Sequence, residues 1–295
     1  MTVIAEATLS TFTPAKDRQY HDVDGAAYYL PADKEEADRL NAQYLLLKDI
    51  FGGNAIYAPV ALSGDEWVLD NGTGTGAWIM DVRSAIPPSI SMYGVDLQTR
   101  LVPLNPPSNT HFLQGSLLDL PRDWTDRFSL VNQRLLVAAL SQDDWKKAVS
   151  EIYRVLKPGG WVQILEVSGR LFTPEGRTDG HADMFNNIAG KIRAGRGIVG
   201  DCFEDIPDLL RGQGFRNVAV VEERRVPMGN KHGQVGERML RNIVSLYQGM
   251  KSPALDCGTV SSERDFDKVV DAFEARCNES GGIETRWYAF CAQKP

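Results

Sequence analysis

Two carboxylates hold matching positions in the chain. Asp70 closes the short apolar run Trp67-Val-Leu, and Asp96 closes Tyr93-Gly-Val. Directly after the first comes Asn71-Gly-Thr-Gly-Thr-Gly-Ala77, with glycines at 72, 74 and 76. Glycines so spaced let a backbone turn sharply from strand to helix while approaching a ligand closely. The spacing alone does not choose the ligand. Gly72, Gly74 and Ala77 satisfy the loose dinucleotide pattern, which is a weak signal by itself. No Gly-Lys-Ser/Thr follows, which excludes a phosphate-cradling P-loop.

Electrostatics separates the remaining ligands. A dinucleotide brings a pyrophosphate to the helix N-terminus, where a nearby carboxylate would repel it. Asp70 stands immediately before the turn, which suits a ligand with an ammonium or sulfonium centre and no phosphate. S-adenosylmethionine is such a ligand. Its ribose hydroxyls call for a second acid at the end of the next strand, the place of Asp96, where a carboxylate accepts both protons. The plainer alternative, that both aspartates only cap the following elements, does not explain why both lie at strand carboxyl ends. Open α/β sheets bind their ligands there.

The elements that must position these residues are legible in the pattern. Ala37, Leu40, Tyr44, Leu47 and Phe51 predict one apolar helix face from Asp33 onward, ended by Gly52-Gly53. Then strands are expected over 67–69, 90–95, 110–113 and 128–131, with a helix-like stretch at 77–86. A helix over 143–156 runs into the turn Lys157-Pro-Gly-Gly and a strand over 161–166. Such alternation signals βαβ units and a parallel sheet. A polar, Gly-rich stretch (169–200) encloses a helix near 181–192. Further helices are expected at 203–213, 233–250 and 263–277, and strands at 215–226 and 285–291.

Composition narrows the functional class. The chain has 295 residues, 43% hydrophobic and 24% charged, and 39 acids against 32 bases leave a net charge of −7. That excludes disordered, collagen-like and coiled-coil chains, and an acidic balance argues against a nucleic-acid surface. The start, Met1-Thr-Val-Ile-Ala-Glu, lacks the basic and apolar regions of a secretory signal, and no apolar stretch is long enough to span a bilayer. A cytoplasmic monomer or homodimer with no nucleic-acid or membrane partner is expected. Cys202, Cys257, Cys277 and Cys291 lack ligand spacing, so they read as small hydrophobes and no metal site is expected.

The chain resembles the class I S-adenosylmethionine-dependent methyltransferases. The likeness rests on Val68-Leu-Asp-Asn-Gly-Thr-Gly-Thr-Gly76, Tyr93-Gly-Val-Asp96, Gly115-Ser-Leu-Leu-Asp-Leu-Pro121 and Val155-Leu-Lys-Pro-Gly-Gly-Trp-Val162. More narrowly it resembles the fungal secondary-metabolism methyltransferases, a group that includes a global regulator, through Asp70 to Asp81, Val131-Asn-Gln-Arg-Leu-Leu136 and the end Trp287 to Pro295. The resemblance implies an α/β, Rossmann-like fold: a mostly parallel seven-stranded sheet, helices on both faces and an antiparallel last strand. Residues 1–55 would form a leader and helical lid. Residues 56–295 would form the cofactor-binding domain, with lid insertions at about 169–200 and 227–281.

The resemblance also implies roles. Asp70 and the backbone of Gly72, Thr73 and Gly74 would face the methionine portion of S-adenosylmethionine. Asp96 would hold the ribose, Leu97 would pack on the adenine, and Ser116 and Leu117 would flank its edge. Asn132 and Gln133, just past the fourth strand, would border the methyl-transfer chamber. Many relatives carry Asp where Ser116 stands.

Methyl transfer from a sulfonium asks mainly for alignment and a dry pocket, plus a base if the acceptor must lose a proton. His181, with Glu166 at the carboxyl end of the fifth strand, is the candidate base or orienting residue; a surface or capping histidine is the alternative. Tyr28, Tyr29, Trp78 and Met184, with Phe185, Met239, Tyr247 and Met250, are candidates for an apolar substrate pocket. Arg193, Arg196, Arg224 and Arg225 are candidates for a substrate carboxylate. The function expected is methyl transfer to O, N or S of a small, partly apolar secondary metabolite. A cofactor-retaining dehydratase or pericyclase, a regulatory partner and a dehydrogenase are the rivals.

Overall fold

The computed structural model describes residues 18–20, 28–173, 179–198, 200–280 and 282–295; parts of the leader, including His21, and of the 169–200 insertion lie outside them. Seven strands form one sheet: β1 (Trp67–Asn71), β2 (Ser91–Asp96), β3 (Thr110–Gln114), β4 (Phe128–Arg134), β5 (Leu156–Val167), β6 (Arg216–Pro227) and β7 (Glu284–Gln293). Their order is β3-β2-β1-β4-β5-β7-β6, and β7 runs antiparallel to both of its neighbours. The chain leaves β1 toward β3 on one side and returns through β4 on the other. This reversal opens a crevice at the carboxyl ends of the strands.

The period-two alternation of the strands divides the core. Leu69, Val131 and Ile164 face α3 (Gln142–Val155) and α5 (Cys202–Gln213), where Trp145, Ile152 and Ile206 complete one cluster. Val68, Leu130 and Met92 face the other way, against Trp78 and Val82 of α2 (Ala77–Arg83) and Tyr44 of α1 (Lys34–Ile50). α3 starts on a capping box in which Ser141 Oγ accepts from Asp144 N and the Asp144 carboxylate accepts from Ser141 N.

A third cluster is built mainly by helices, packed against Leu165, Val226, Trp287 and Ala289 of the sheet. α4 (Gly180–Ala194), α6 (Gly233–Gln248), α7 (Lys251–Asp256) and α8 (Glu263–Ser280) pack on one another and, through α6, on α1. Phe185 lies at its centre with no exposed surface, its ring 4.0 Å from that of Tyr247 and 4.1 Å from that of Phe273. Among the described residues no helix is long and apolar enough to cross a membrane.

Three local expectations change. The inward face of α1 is not the apolar row read from periodicity: Glu36, Arg39 and Gln43 are buried with Tyr44, Leu46 and Leu47. β4 continues to Arg134, so Asn132 and Gln133 lie within the strand and not past it, because their side-chain amides pair with neighbouring strands. Lys157-Pro-Gly-Gly is an irregularity inside β5 and not a turn before it. Gly159 takes φ +79° there, and the segment exchanges backbone hydrogen bonds with Lys294.

Because Phe185 sits in closed aromatic packing, Phe185→Ala is expected to cost about 3–5 kcal/mol of stability, measured by denaturant unfolding. A change below about 1 kcal/mol would mean that the helical cluster collapses freely around the missing ring.

Candidate active site

The glycine turn sits where β1 feeds α2. Gly72, Gly74 and Gly76 have φ of +76°, +58° and +75°, a region that side chains avoid. A Cβ at Gly76 would lie 2.7 Å from the Phe112 ring, so space as well as backbone angle excludes other residues. The turn is pinned to β2: Gly72 N and Thr73 N both donate to Val95 O, at 2.9 and 3.0 Å, and Gly74 N donates to Asp96 Oδ2 at 2.8 Å.

Below the turn runs a buried row of polar side chains. Asp70, Asn132 and Gln163 are register partners on β1, β4 and β5. Thr73 Oγ1 donates to Asp70 Oδ2 at 2.7 Å and Asn132 Nδ2 donates to Asp70 Oδ1 at 2.6 Å. Gln163 Nε2 donates to Asn132 Oδ1 at 2.8 Å and to Ala55 O at 3.0 Å, while its Oε1 accepts from Tyr57 N at 2.8 Å. Burial pushes the Asp70 carboxyl above its ordinary range, and the Arg134 charge and its two side-chain donors oppose that.

Two adjoining cavities open at the strand ends. The first is walled by Gly72 to Thr75, Asp96, Leu97 and Leu117, with Arg134 and Tyr44. The Arg134 guanidinium lies 4.9 Å from the Tyr44 ring centroid, and its Nε is buried with no partner. Burial also raises the Asp96 carboxyl, against donation from the Gly74 and Gln98 backbone. The second cavity shares Tyr28, Leu40, Gln43 and Leu135 with the first and is lined beyond them by Tyr29, Tyr247, Met250, Trp287 and Arg193. A small cationic ligand beside the glycine turn would thus reach an aromatic chamber.

The candidates fall into three places. Gly72, Thr73, Gly74, Asp96, Leu97 and Leu117 meet around the first cavity. Asp70, Asn132 and Gln133 lie beneath it, fully buried; Gln133 Oε1 accepts from Asn71 Nδ2 at 3.0 Å. Ser116 is outside the wall, its Oγ accepting from Leu118 N at 3.1 Å. The pairing of His181 with Glu166 is corrected. His181 is a half-exposed side chain in the first turn of α4, its Nδ1 3.5 Å from the capping Asp179, which Arg276 also holds. Glu166 is buried on the α5 side of the sheet, where it accepts from the backbone of Leu136 and Val167. Neither side chain lines either cavity.

Of the apolar candidates, Tyr28, Tyr29, Tyr247 and Met250 line the second cavity. Trp78, Phe185 and Met239 are core, and Met184 is exposed. Of the four arginines expected to meet a substrate carboxylate, Arg193 alone lines a cavity, while Arg224 donates to Ile50 O and pairs with Glu222. Sequence reasoning missed Gln163, Arg134 and the buried pair Glu36–Arg39. The last had a signal: opposite charges three residues apart on the face of α1 next to the apolar row.

Burial raises the Glu166 carboxyl to about 8. An acid whose folded pKa exceeds its unfolded value stabilises the fold below the unfolded pKa, and that stability is lost as pH rises through the folded one. Stability is therefore expected to fall between about pH 4.5 and 8, by at most about 1.4 kcal/mol per pH unit. Glu166→Gln should flatten this slope in denaturant unfolding at several pH values, and an unchanged slope would assign the proton to another group.

The chain matches known proteins in the same region and beyond it. The methyltransferase-domain family matches residues 68–160. The N-methyltransferase gliN of Aspergillus fumigatus is 30% identical, the match covering 87% of this chain and 93% of that protein. The N-methyltransferase tcpN of Claviceps purpurea is 29% identical, over 88% of this chain and 93% of its own. In fold, the chain is similar to a mycolic acid cyclopropane synthase complexed with SAH and CTAB, at a TM-score of 0.53 and 12% identity, over 90% of this chain and 92% of that one. The sheet with its reversed last strand, the glycine turn and these full-length likenesses have one meaning: the chain belongs to the class I S-adenosylmethionine-dependent methyltransferases, in the group that holds these fungal enzymes.

Proposed function

We propose that this methyltransferase acts on a nitrogen of a small, partly apolar secondary metabolite, with the cofactor in the first cavity and the acceptor in the second. The observation that carries the choice of nitrogen is the wall of the second cavity. Among the described residues it contains no Asp, Glu or His. A hydroxyl acceptor needs a base to become a competent nucleophile, whereas a neutral amine attacks with its own lone pair. The names of gliN and tcpN support the same atom. Arg193 in that wall, which has no carboxylate partner among the described residues, favours an uncharged amine, since a nearby cation in a poorly solvated site disfavours a second positive charge.

S-adenosylmethionine, when bound, supplies an already activated methyl group. The residues of the first cavity fit it in charge and shape. Glycines without Cβ atoms bring the backbone of 72–74 close, and Asp96 has acceptor capacity for the ribose hydroxyls. Leu97, Leu101 and Leu117 offer an apolar slot for the adenine. Arg134, with its orphan Nε, is suited to the methionine carboxylate. Asp70 acts differently from the expected direct contact. Both of its oxygens are held by Thr73 and Asn132, so it positions the turn. In this reading α1, α4 and α6–α8 roof the second cavity and exclude water from the reacting atoms.

Asp96→Ala is expected to weaken S-adenosylhomocysteine binding by about 1.5–3 kcal/mol in calorimetry. Unchanged affinity would place the ribose elsewhere. With methyl-labelled cofactor and scaffold-matched amines, alcohols and thiols, the label should appear on nitrogen. Transfer to oxygen or sulfur alone would overturn the nitrogen assignment.

A further inference from the structure

The step from β4 into the following loop is strained. Leu135 takes φ +57°, a left-handed angle that any side chain beyond glycine disfavours. Such an angle persists only where the surroundings over-determine it. Two hydrogen bonds to β5 do so. Leu135 N donates to Leu165 O at 2.9 Å, and Leu136 N donates to Oε1 of Glu166. Oε2 of the same carboxylate accepts from Val167 N at 3.3 Å, and the Val137 N–H also favours its charged form. The loop then closes on itself, with Ala139 N and Leu140 N both donating to Leu136 O.

The strained step stands where the two cavities meet. Leu135 lines both of them; Leu136 and Ala139 line the first, Val137 and Ala138 the second. Leu136 also lies against the glycine turn, since a Cβ at Gly72 would come within 3.1 Å of its Cδ2. The segment is thus a partition between the glycine turn and the aromatic chamber. Glu166 beneath it has no exposed surface, and among the described residues no cation is paired with it. Burying a carboxyl in that way is costly, and an apolar residue of the same size would fill the space without that cost. What only the acid supplies is a strong acceptor for the N–H groups of the partition.

We infer that Glu166 is a positioning residue: its carboxylate holds the strained Leu135–Leu136 step in place, and with it the wall against which the cofactor binds. It touches neither cavity and acts through Leu136. The inference rests on the proposed placement of the cofactor in the first cavity.

The test follows the Leu136 amide by NMR and S-adenosylhomocysteine binding by calorimetry, in the full chain labelled with heavy-nitrogen leucine. The Leu136 peak is identified by its loss in Leu136→Ile. In the wild type its proton should resonate well downfield of the other loop leucines, as a bond to a carboxylate requires. Glu166→Gln keeps an acceptor oxygen, so it should hold most of that shift and bind within about twofold of the wild type. Glu166→Met fills the space but accepts nothing. It should lose the shift and bind about tenfold more weakly, the loss of one charge-assisted hydrogen bond. In Leu135→Gly, where a positive φ carries no strain, the same Glu166→Met change should weaken binding less. A Leu136 amide at an ordinary shift in the wild type would overturn the inference whether or not the variants fold. So would undiminished binding in Glu166→Met, equal losses in Glu166→Gln and Glu166→Met, or the full loss in the Leu135→Gly background. Failure of S-adenosylhomocysteine to bind the wild type would count against the proposed function alone, since the amide shifts still decide whether Glu166 holds the partition.

Discussion

The site depends on one buried carboxylate and the amide row that satisfies it. Asp70 is 1% exposed inside the sheet, where an unpaired charge would be costly. Asn132 and Gln163 meet that need because the parallel register sets them beside it on successive strands. The consequences extend in both directions. Through Thr73 the row fixes the glycine turn, and through Gln163 it fixes the segment around Ala55 and Tyr57. Ala55 O also receives Trp78 Nε1, so the start of α2 is tied to the same point. A slip of β4 by one residue would turn Asn132 to the other face and strand the charge. The row therefore specifies register as well as orientation.

α1 performs the second organising task. Its inward face bears Glu36, Arg39 and Gln43 where an ordinary helix would bury leucines, and Arg39 and Gln43 stand in the cavity walls. Gln43 Nε2 donates to Asn242 Oδ1 at 3.0 Å, which joins α1 to α6 through side chains 199 positions apart. The two cavities consequently share a wall while differing in composition: Asp96 and Arg134 stand in the first, and the second has arginines but, among the described residues, no carboxylate.

Local chemistry was legible in the sequence. The glycine turn, the acid ending β2 and the alternation of strands and helices are short-range signals, since a positive φ, a strand end or a helical period involves neighbours in the chain. Asp96, Leu97 and Leu117 all line the first cavity. The inward face of α1 was misread because periodicity records apolar residues only. A charged pair that neutralises itself is buried without leaving an apolar trace. Likewise, His181 and Glu166 each have suitable chemistry, but they belong to different layers, one in the first turn of α4 and one in β5 facing α5.

The doubly wound sheet and the place of the glycine turn can be read from residue types alone, because both follow from backbone preference and strand alternation within a few residues. It took the packed fold to show that Asp70 holds Thr73 from outside the cavity wall, and that Asn132 and Gln163 belong to its row. The fold also decided which arginines turn inward. The reason is physical: side chains 62 positions apart, such as Asp70 and Asn132, become neighbours through register, and an inward charge is tolerated only where a partner from another element has already been brought to meet it.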